Sequence, residues 1–166
     1  MKINNLVCID KNINLDNYLT YREEVKKNMK NPDWLGDFTK EDLINLLSNG
    51  SKIWMYYNNK EFVSSMMMIP SNKEDMQKFN LNKNYKEVVD YGPMFVNYKY
   101  IGNNLQYQML QELDKYVKSL GYKTAIGTIH PDNIYSINNL IKDNFKLHST
   151  RTFKRGIRNI YIKNME

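Results

Sequence analysis

The chain has 166 residues, 42% of them hydrophobic and 25% charged, ordinary proportions for a globular protein and enough for one domain with a sizeable core. No apolar run approaches the roughly 20 residues of a membrane span. The start Met1-Lys2-Ile3-Asn4-Asn5 has no apolar h-region, and Cys8, the only cysteine, excludes an internal disulfide, so a cytoplasmic chain without membrane contact is expected.

Two histidines, His130 and His148, with one cysteine argue against a structural zinc site, so no metal is expected. The net charge of +6 invites a nucleic-acid reading. The chain is also crowded with Asn, Ile, Tyr and Met, as an AT-rich coding sequence would produce, and lysine enrichment then needs no polyanionic partner. The one concentrated basic run is Arg151, Lys154, Arg155 and Arg158, and a solvated face is the stronger reading of it.

In chain order, Leu6 to Ile9 forms a short first strand. Asn14 or Asp16 caps a helix with apolar Leu15, Leu19 and Val25 and a charged, exposed side of Arg22, Glu23, Glu24, Lys26 and Lys27. Asn31-Pro32-Asp33 breaks it. Thr39 with Asp42 makes a capping box for a second helix facing Leu43, Leu46 and Leu47 inward, and Asn49-Gly50 ends it. Lys52 to Tyr57 and Glu61 to Ile69 are strands joined by Asn58-Asn59-Lys60, and Met66-Met67-Met68 reads as core filling. A helical turn is placed around Glu74 to Phe79. Strand character resumes from Lys86 to Val96, with a bulge or unpaired edge at Gly92-Pro93, because proline cannot donate to a ladder.

The stretch Met94 to Leu110 reads as a strand end, a tight loop and a helix, a junction that offers unpaired N–H groups to a phosphate. The helix is marked by Leu105, Met109, Leu113, Tyr116, Val117 and Leu120 and stops at Gly121. Lys123 to Ile129 is a strand, Pro131-Asp132-Asn133 caps a helix bearing Ile134, Ile137 and Ile141, and Leu147 to Phe153 with Asn159 to Lys163 forms a last hairpin. The middle strands are antiparallel neighbours, and Val88 to Ile129 is a right-handed parallel crossover. The expected architecture is one α/β domain over residues 1–166, with a mixed, mostly antiparallel sheet of about seven strands and about four helices. Neither G-x-G-x-x-G nor the P-loop pattern occurs.

Two segments carry a resemblance. Val96, Tyr100, Gly102, Asn103, Leu105 and Gln106 match a V-x-P-x-Y-R-G-N-G-L-Q pattern, and Thr128-Ile129-His130-Pro131-Asp132-Asn133-Ile134-Tyr135-Ser136 is similar to T-x-H-P-D-N-x-x-S. Together with the element order they resemble the GNAT superfamily of acetyl-CoA-dependent N-acetyltransferases, over roughly residues 50 to 165, in a family whose domains are of this size. The resemblance implies that Met94, Phe95 and Val96 run beside the pantetheine arm of acetyl-CoA. It also implies that Ile101, Gly102, Asn103, Asn104, Leu105 and Gln106 form the pyrophosphate loop, with Asn133 and Ser136 reaching the cofactor from the other side. Ile101 stands where the family has Arg or Gln, Asn104 where it has glycine, and Leu140 where many members have an acid-catalyst tyrosine.

Acetyl transfer to an amine needs a positioned thioester, a proton acceptor and polarisation of the carbonyl. Asp90, six residues before Val96, and His130, at the end of the following strand, are the candidate bases, each with a plainer structural reading beside it. Tyr91, Tyr98 and Tyr135 are candidate acids. The implied partner is a primary amine of a small molecule or peptide, attacked directly in a ternary complex, and a homodimer is compatible with the resemblance. A GNAT-fold binding module with reduced catalysis is the alternative.

Overall fold

The structure is a computed structural model that describes residues 1–3, 6–9 and 15–166. The expected cap Asn14 lies outside the described residues. Asp16 sits in the first turn of the helix, not at its cap.

The strands are β1 (Val7–Ile9), β2 (Lys52–Asn58), β3 (Glu61–Pro70), β4 (Val88–Tyr91), β5 (Phe95–Val96), β6 (Thr124–Ile129), β7 (Lys146–Phe153) and β8 (Gly156–Asn164). The helices are α1 (Leu15–Lys27), α2 (Lys40–Ser48), α3 (Lys73–Lys78), α4 (Leu105–Ser119) and α5 (Ile134–Lys142). The sheet runs β1-β2-β3-β4-β6-β8-β7, with β5 paired to β3. All pairs are antiparallel except β4 with β6, where α4 supplies the crossover. The expected mixed α/β sandwich is therefore present. Its eight strands exceed the expected seven because Gly92-Pro93 divides one predicted strand into β4 and β5. Its fifth helix is α3, which Asn72 and Asp75 cap reciprocally.

Alternation along the strands sends side chains to two separate cores. On one face Met66, Met68, Val89, Tyr91 and Ala125 pack against Met109, Leu110, Leu113 and Val117 of α4 and Ile137 and Leu140 of α5. On the other, Ile53, Met55, Met67 and Phe95 pack against Leu15, Tyr18 and Val25 of α1 and Leu43 of α2. The three consecutive methionines are all buried, so the core reading of them holds. Thr39 and Asp42 form the expected capping box.

Two expectations about helix faces are corrected. Arg22 is 1% exposed instead of solvated. It falls on the same stripe as Leu15, Tyr18 and Val25, so the helical period that buries them buries it too. In α5 the inward residues are Ile137 and Leu140, while Ile134 and Ile141 stay exposed. The basic run is solvated at three of its four residues, Arg155 among them. Arg151 and Lys154 are exposed, whereas Arg158 is buried and donates to the Ile157 and Asp33 carbonyls, the latter at 3.0 Å. His148 is exposed on β7, where the register with β8 shifts. Among the described residues no helix is long and apolar enough to cross a membrane.

A buried polar network fastens α4 and α5 to the sheet. The Lys163 ammonium on β8 donates to Asp114 of α4, and to Asp143 just after α5 at 2.9 Å. The Tyr91 hydroxyl donates to the other Asp114 oxygen at 2.5 Å. Burial pushes the Asp143 carboxyl up to about 6, against the opposing pull of Lys163. Replacing Lys163 by Met strands two buried carboxylates, and it should lower unfolding free energy by about 3–5 kcal/mol in urea titrations at neutral pH.

Candidate active site

The site is built where the sheet forks. β4 lies parallel to β6 from Val88↔Thr124 to Tyr91↔Gly127, and beyond Gly92 the chain leaves β6 and pairs only with β3. Between Met68↔Tyr91 and Ser65↔Phe95, three steps along β3 face four steps along its partner, so an extra residue is inserted at Gly92-Pro93-Met94. This is the bulge expected from the sequence. Proline removes a ladder donor there. Gly92 fits because a Cβ would come within 3.1 Å of Ile69 and 3.2 Å of Met67. β6 continues through Thr128 and Ile129 on β8 alone, leaving a wedge between β5 and β6.

The Asn97 N–H donates to the Val63 carbonyl at 2.8 Å, so by strand alternation the N–H and C=O of Val96 turn away from β3 into that wedge. A cavity of about 410 Å³ occupies the fork and opens on both faces of the sheet. On the α4–α5 side its wall includes Met94, Gln106, Asn133, Ser136 and Leu140. On the α1–α3 side it includes Trp34, Phe38, Asp75, Lys78, Asp90, Phe79 and Arg155.

At the head of α4, Gly102 has φ +92° and Asn104 has φ +59°, so both loop positions are left-handed. Asparagine tolerates that conformation better than other non-glycine residues, which explains how the loop closes with Asn104 in glycine's place. Asn104 makes no side-chain capping bond, and the first turn of α4 holds no acidic residue. The first backbone bond runs from Gln108 N–H to the Asn104 carbonyl, so the N–H groups of Leu105, Gln106 and Tyr107 lack intrahelical acceptors. Gln106 bonds Ser136 at 2.9 Å and accepts from Asn139 at 2.9 Å, and Asn133 caps α5 by accepting from the Ser136 N–H. The starts of α4 and α5 are thereby locked side by side.

Of the residues singled out from sequence, Asp90 lines the cavity from the α1–α3 side and Tyr91, Met94, Gln106, Asn133 and Ser136 line it from the α4–α5 side. Phe95 instead turns into the α1–α2 core against Tyr18. Val96 faces the α4 side, and Leu105 is buried beneath its helix. Ile101 is 70% exposed, and Asn103 ties the loop through a 3.0 Å bond to the Tyr100 carbonyl. His130 is not among the lining residues, and its Nδ1 accepts from the Asp132 N–H at 3.1 Å, which fixes the turn before α5. Tyr91 keeps its proton: burial raises its pKa, and Asp114 accepts its hydroxyl. Tyr98 is exposed, and Tyr135 lies against Trp34 at the rim, ring centroids 6.3 Å apart.

Asp90 stands out electrostatically. It lies on the face opposite Tyr91, partly open to the cavity, and its carboxyl is pushed up to about 7. Burial is the main cause and Asp75 adds to it, while Lys78 and Arg155 oppose it. Thr128, Lys78 and Arg155 are among the polar wall residues that were not singled out as site residues from sequence. Thr128 carries a buried hydroxyl with no hydrogen-bond partner, and Lys78 and Arg155 bring positive charge. Thr128 belongs to the Thr128–Ser136 motif, but only pairing with β8 shows that it stands past the fork.

No protein-family profile and no curated relative matches the sequence. The fold, in contrast, has many counterparts. An N-acetyltransferase from Staphylococcus aureus superimposes with a TM-score of 0.74 at 19% identity, covering 98% of each chain. A GNAT-family acetyltransferase from Streptococcus pneumoniae gives 0.72 at 12% identity over 98% of this chain and 100% of that one. An aminoglycoside acetyltransferase in complex with coenzyme A gives 0.72 at 13% identity over 96% and 93%. The chain has the GNAT fold.

The loop geometry gives a direct check. Asn104→Ala should lower stability by about 1 kcal/mol, and Asn104→Gly should leave it nearly unchanged, in thermal unfolding of the two variants.

Proposed function

We propose that the chain is an acyl-CoA-dependent N-acetyltransferase acting on a primary amine of a small molecule or peptide. The observation that carries this reading is the fork: Gln106 at the uncapped start of α4 and the perturbed Asp90 line one cavity, and the unpaired Val96 edge faces the wedge between β5 and β6. The group fits the residues present. Uncompensated N–H groups at Leu105 to Tyr107, without a carboxylate in that turn, suit a pyrophosphate. The Val96 N–H and C=O suit the amide groups of a pantetheine arm. Backbone groups do this work, so Ile101 in place of Arg or Gln removes only an auxiliary side chain. Bound there, acetyl-CoA supplies an activated acyl group.

The chain's own residues supply the rest. Asp90, poised near neutrality, takes the proton of the incoming ammonium directly or through one water. Closing the fork around the amine holds the two reactants within attack distance. The amine's second proton leaves through water, which protonates the departing thiolate as the acyl carbon exchanges sulfur for nitrogen. Attack is direct, and Cys8 lies exposed on β1. His130, already committed to its turn through Nδ1, is assigned to holding the α5 start.

Catalytically reduced binding is the second reading. It is favoured by Leu140, which fills the expected tyrosine position and packs on Gly127, where a Cβ would stand 3.0 Å from it. Turnover separates the two: thiol release from acetyl-CoA across an amine panel supports the enzyme, and saturable CoA binding without release supports the module. In calorimetry, acetyl-CoA should bind the chain, and absence of heat and of thermal shift at millimolar ligand would exclude both.

The Asp90 carboxylate is the active form, so kcat/KM should rise with pH and level off above about 7. Asp90→Asn should lower the plateau by about 10²–10⁴-fold and abolish that inflection in a pH–rate profile.

A further inference from the structure

On the acceptor side of the fork the cavity wall is not uniformly acidic. Asp90 and Asp75 lie there with Lys78 and Arg155. Lys78 sits over the rings of Phe79 and Phe153, at 5.0 and 5.4 Å from their centroids. Arg155 reaches from the turn between β7 and β8 to the loop before α2, where its guanidinium occupies the space a side chain on Gly36 would take. Arg155 forms no ion pair within 4.0 Å among the described residues.

Behind this wall Arg22 is buried with its Nε and Nη2 unpartnered, its guanidinium 5.3 Å from the centre of the cavity-lining Phe38 ring. Burial pulls its pKa down, Tyr18, Asp37 and Glu23 oppose that, and the charge of Arg155 adds a lesser downward push. Asp37 is the nearby carboxylate, and it is already bonded to Lys26. A buried charge without hydrogen bonds lowers stability, and a second cation close by lowers it further. An anion seated at Arg155 offsets the second of these.

We propose that the acyl acceptor is an amine that also carries a carboxylate, with the carboxylate held at Arg155 in the positive field of Arg22 and the amine delivered to Asp90. This rests on the acyl-acceptor reading of the cavity and adds the substrate's class to it. Acidic wall groups meet the ammonium end and the guanidinium meets the carboxylate end, a bidentate match that lysine would not supply. Polycationic amines place a second ammonium against Arg155 and are selected against.

The test measures binding by ligand-observed NMR on the full chain with saturating coenzyme A, using glycylglycine, its C-terminal amide, and spermidine. The dipeptide should bind about tenfold or more tightly than its amide and than spermidine. Arg155→Gln, at an equal or higher melting temperature, and Gly36→Ala through its methyl in the Arg155 seat should erase that preference. Arg22→Met should weaken it while raising the melting temperature, a combination that a packing role alone does not produce.

Equal binding of acid and amide, preference for spermidine, unchanged selectivity in Arg155→Gln, or no binding by any of the three would overturn the proposal. The parent reading is measured separately by thiol release from acetyl-CoA. Acid-selective binding without release removes the transferase reading and leaves the carboxylate seat at Arg155 as that of a bound ligand, and release with amides as efficient as acids removes the seat and leaves the transferase.

Discussion

The structure turns on an interruption in hydrogen bonding at Gly92-Pro93-Met94. A parallel pair of strands has every reason to continue, because each further residue satisfies two backbone groups. Here the proline lacks a donor and the extra residue changes the register on β3, so β5 cannot stay beside β6. What would be a continuous sheet becomes a wedge. Its exposed edge, the start of α4 and the inward face of β4 all point at the same space.

Holding such a wedge open needs the two helices on one face to be fixed. Two kinds of bond do this, at opposite ends. Near the wedge, Gln106 links α4 to Ser136 and Asn139 of α5. At the far end, Lys163 holds Asp114 and Asp143 in a buried network that Tyr91 completes. Every charge in that network has a partner, in keeping with the cost of burying one alone. Arg22, on the opposite face, is buried without hydrogen bonds through Nε or Nη2. The contrast between these two buried cations is a contrast between a fastening and a field.

That division also separates the roles of adjacent residues on β4. Tyr91 and Asp90 point to opposite faces because a strand alternates. Tyr91 is spent on structure, its proton held by Asp114. Asp90 faces the acceptor side, where burial and Asp75 lift it to about 7 and Lys78 and Arg155 limit the rise. A carboxylate that ionises near neutrality is suited to proton transfer in a way that an exposed one is not.

Much of this was legible in the chain itself. Local chemistry determined the capping boxes, the long apolar stripe of α4, the turn at Asn133, the left-handed tolerance of Asn104 and the interruption at Gly92-Pro93. Each depends on residues a few positions apart, and periodicity or backbone stereochemistry decides them. The stripe through Leu15, Tyr18 and Val25 also marks Arg22 for burial, against the expectation from its charge. Only the tertiary structure decided that Phe95 turns into a core, that Leu140 lies on Gly127, and that Arg155 crosses to Gly36. It also decided the ionisation of Asp90, whose raising partners lie on its own buried surroundings and on α3. These outcomes depend on which distant segments share a face of the forked sheet. Burial and charge act through space, and no spacing along the chain encodes them.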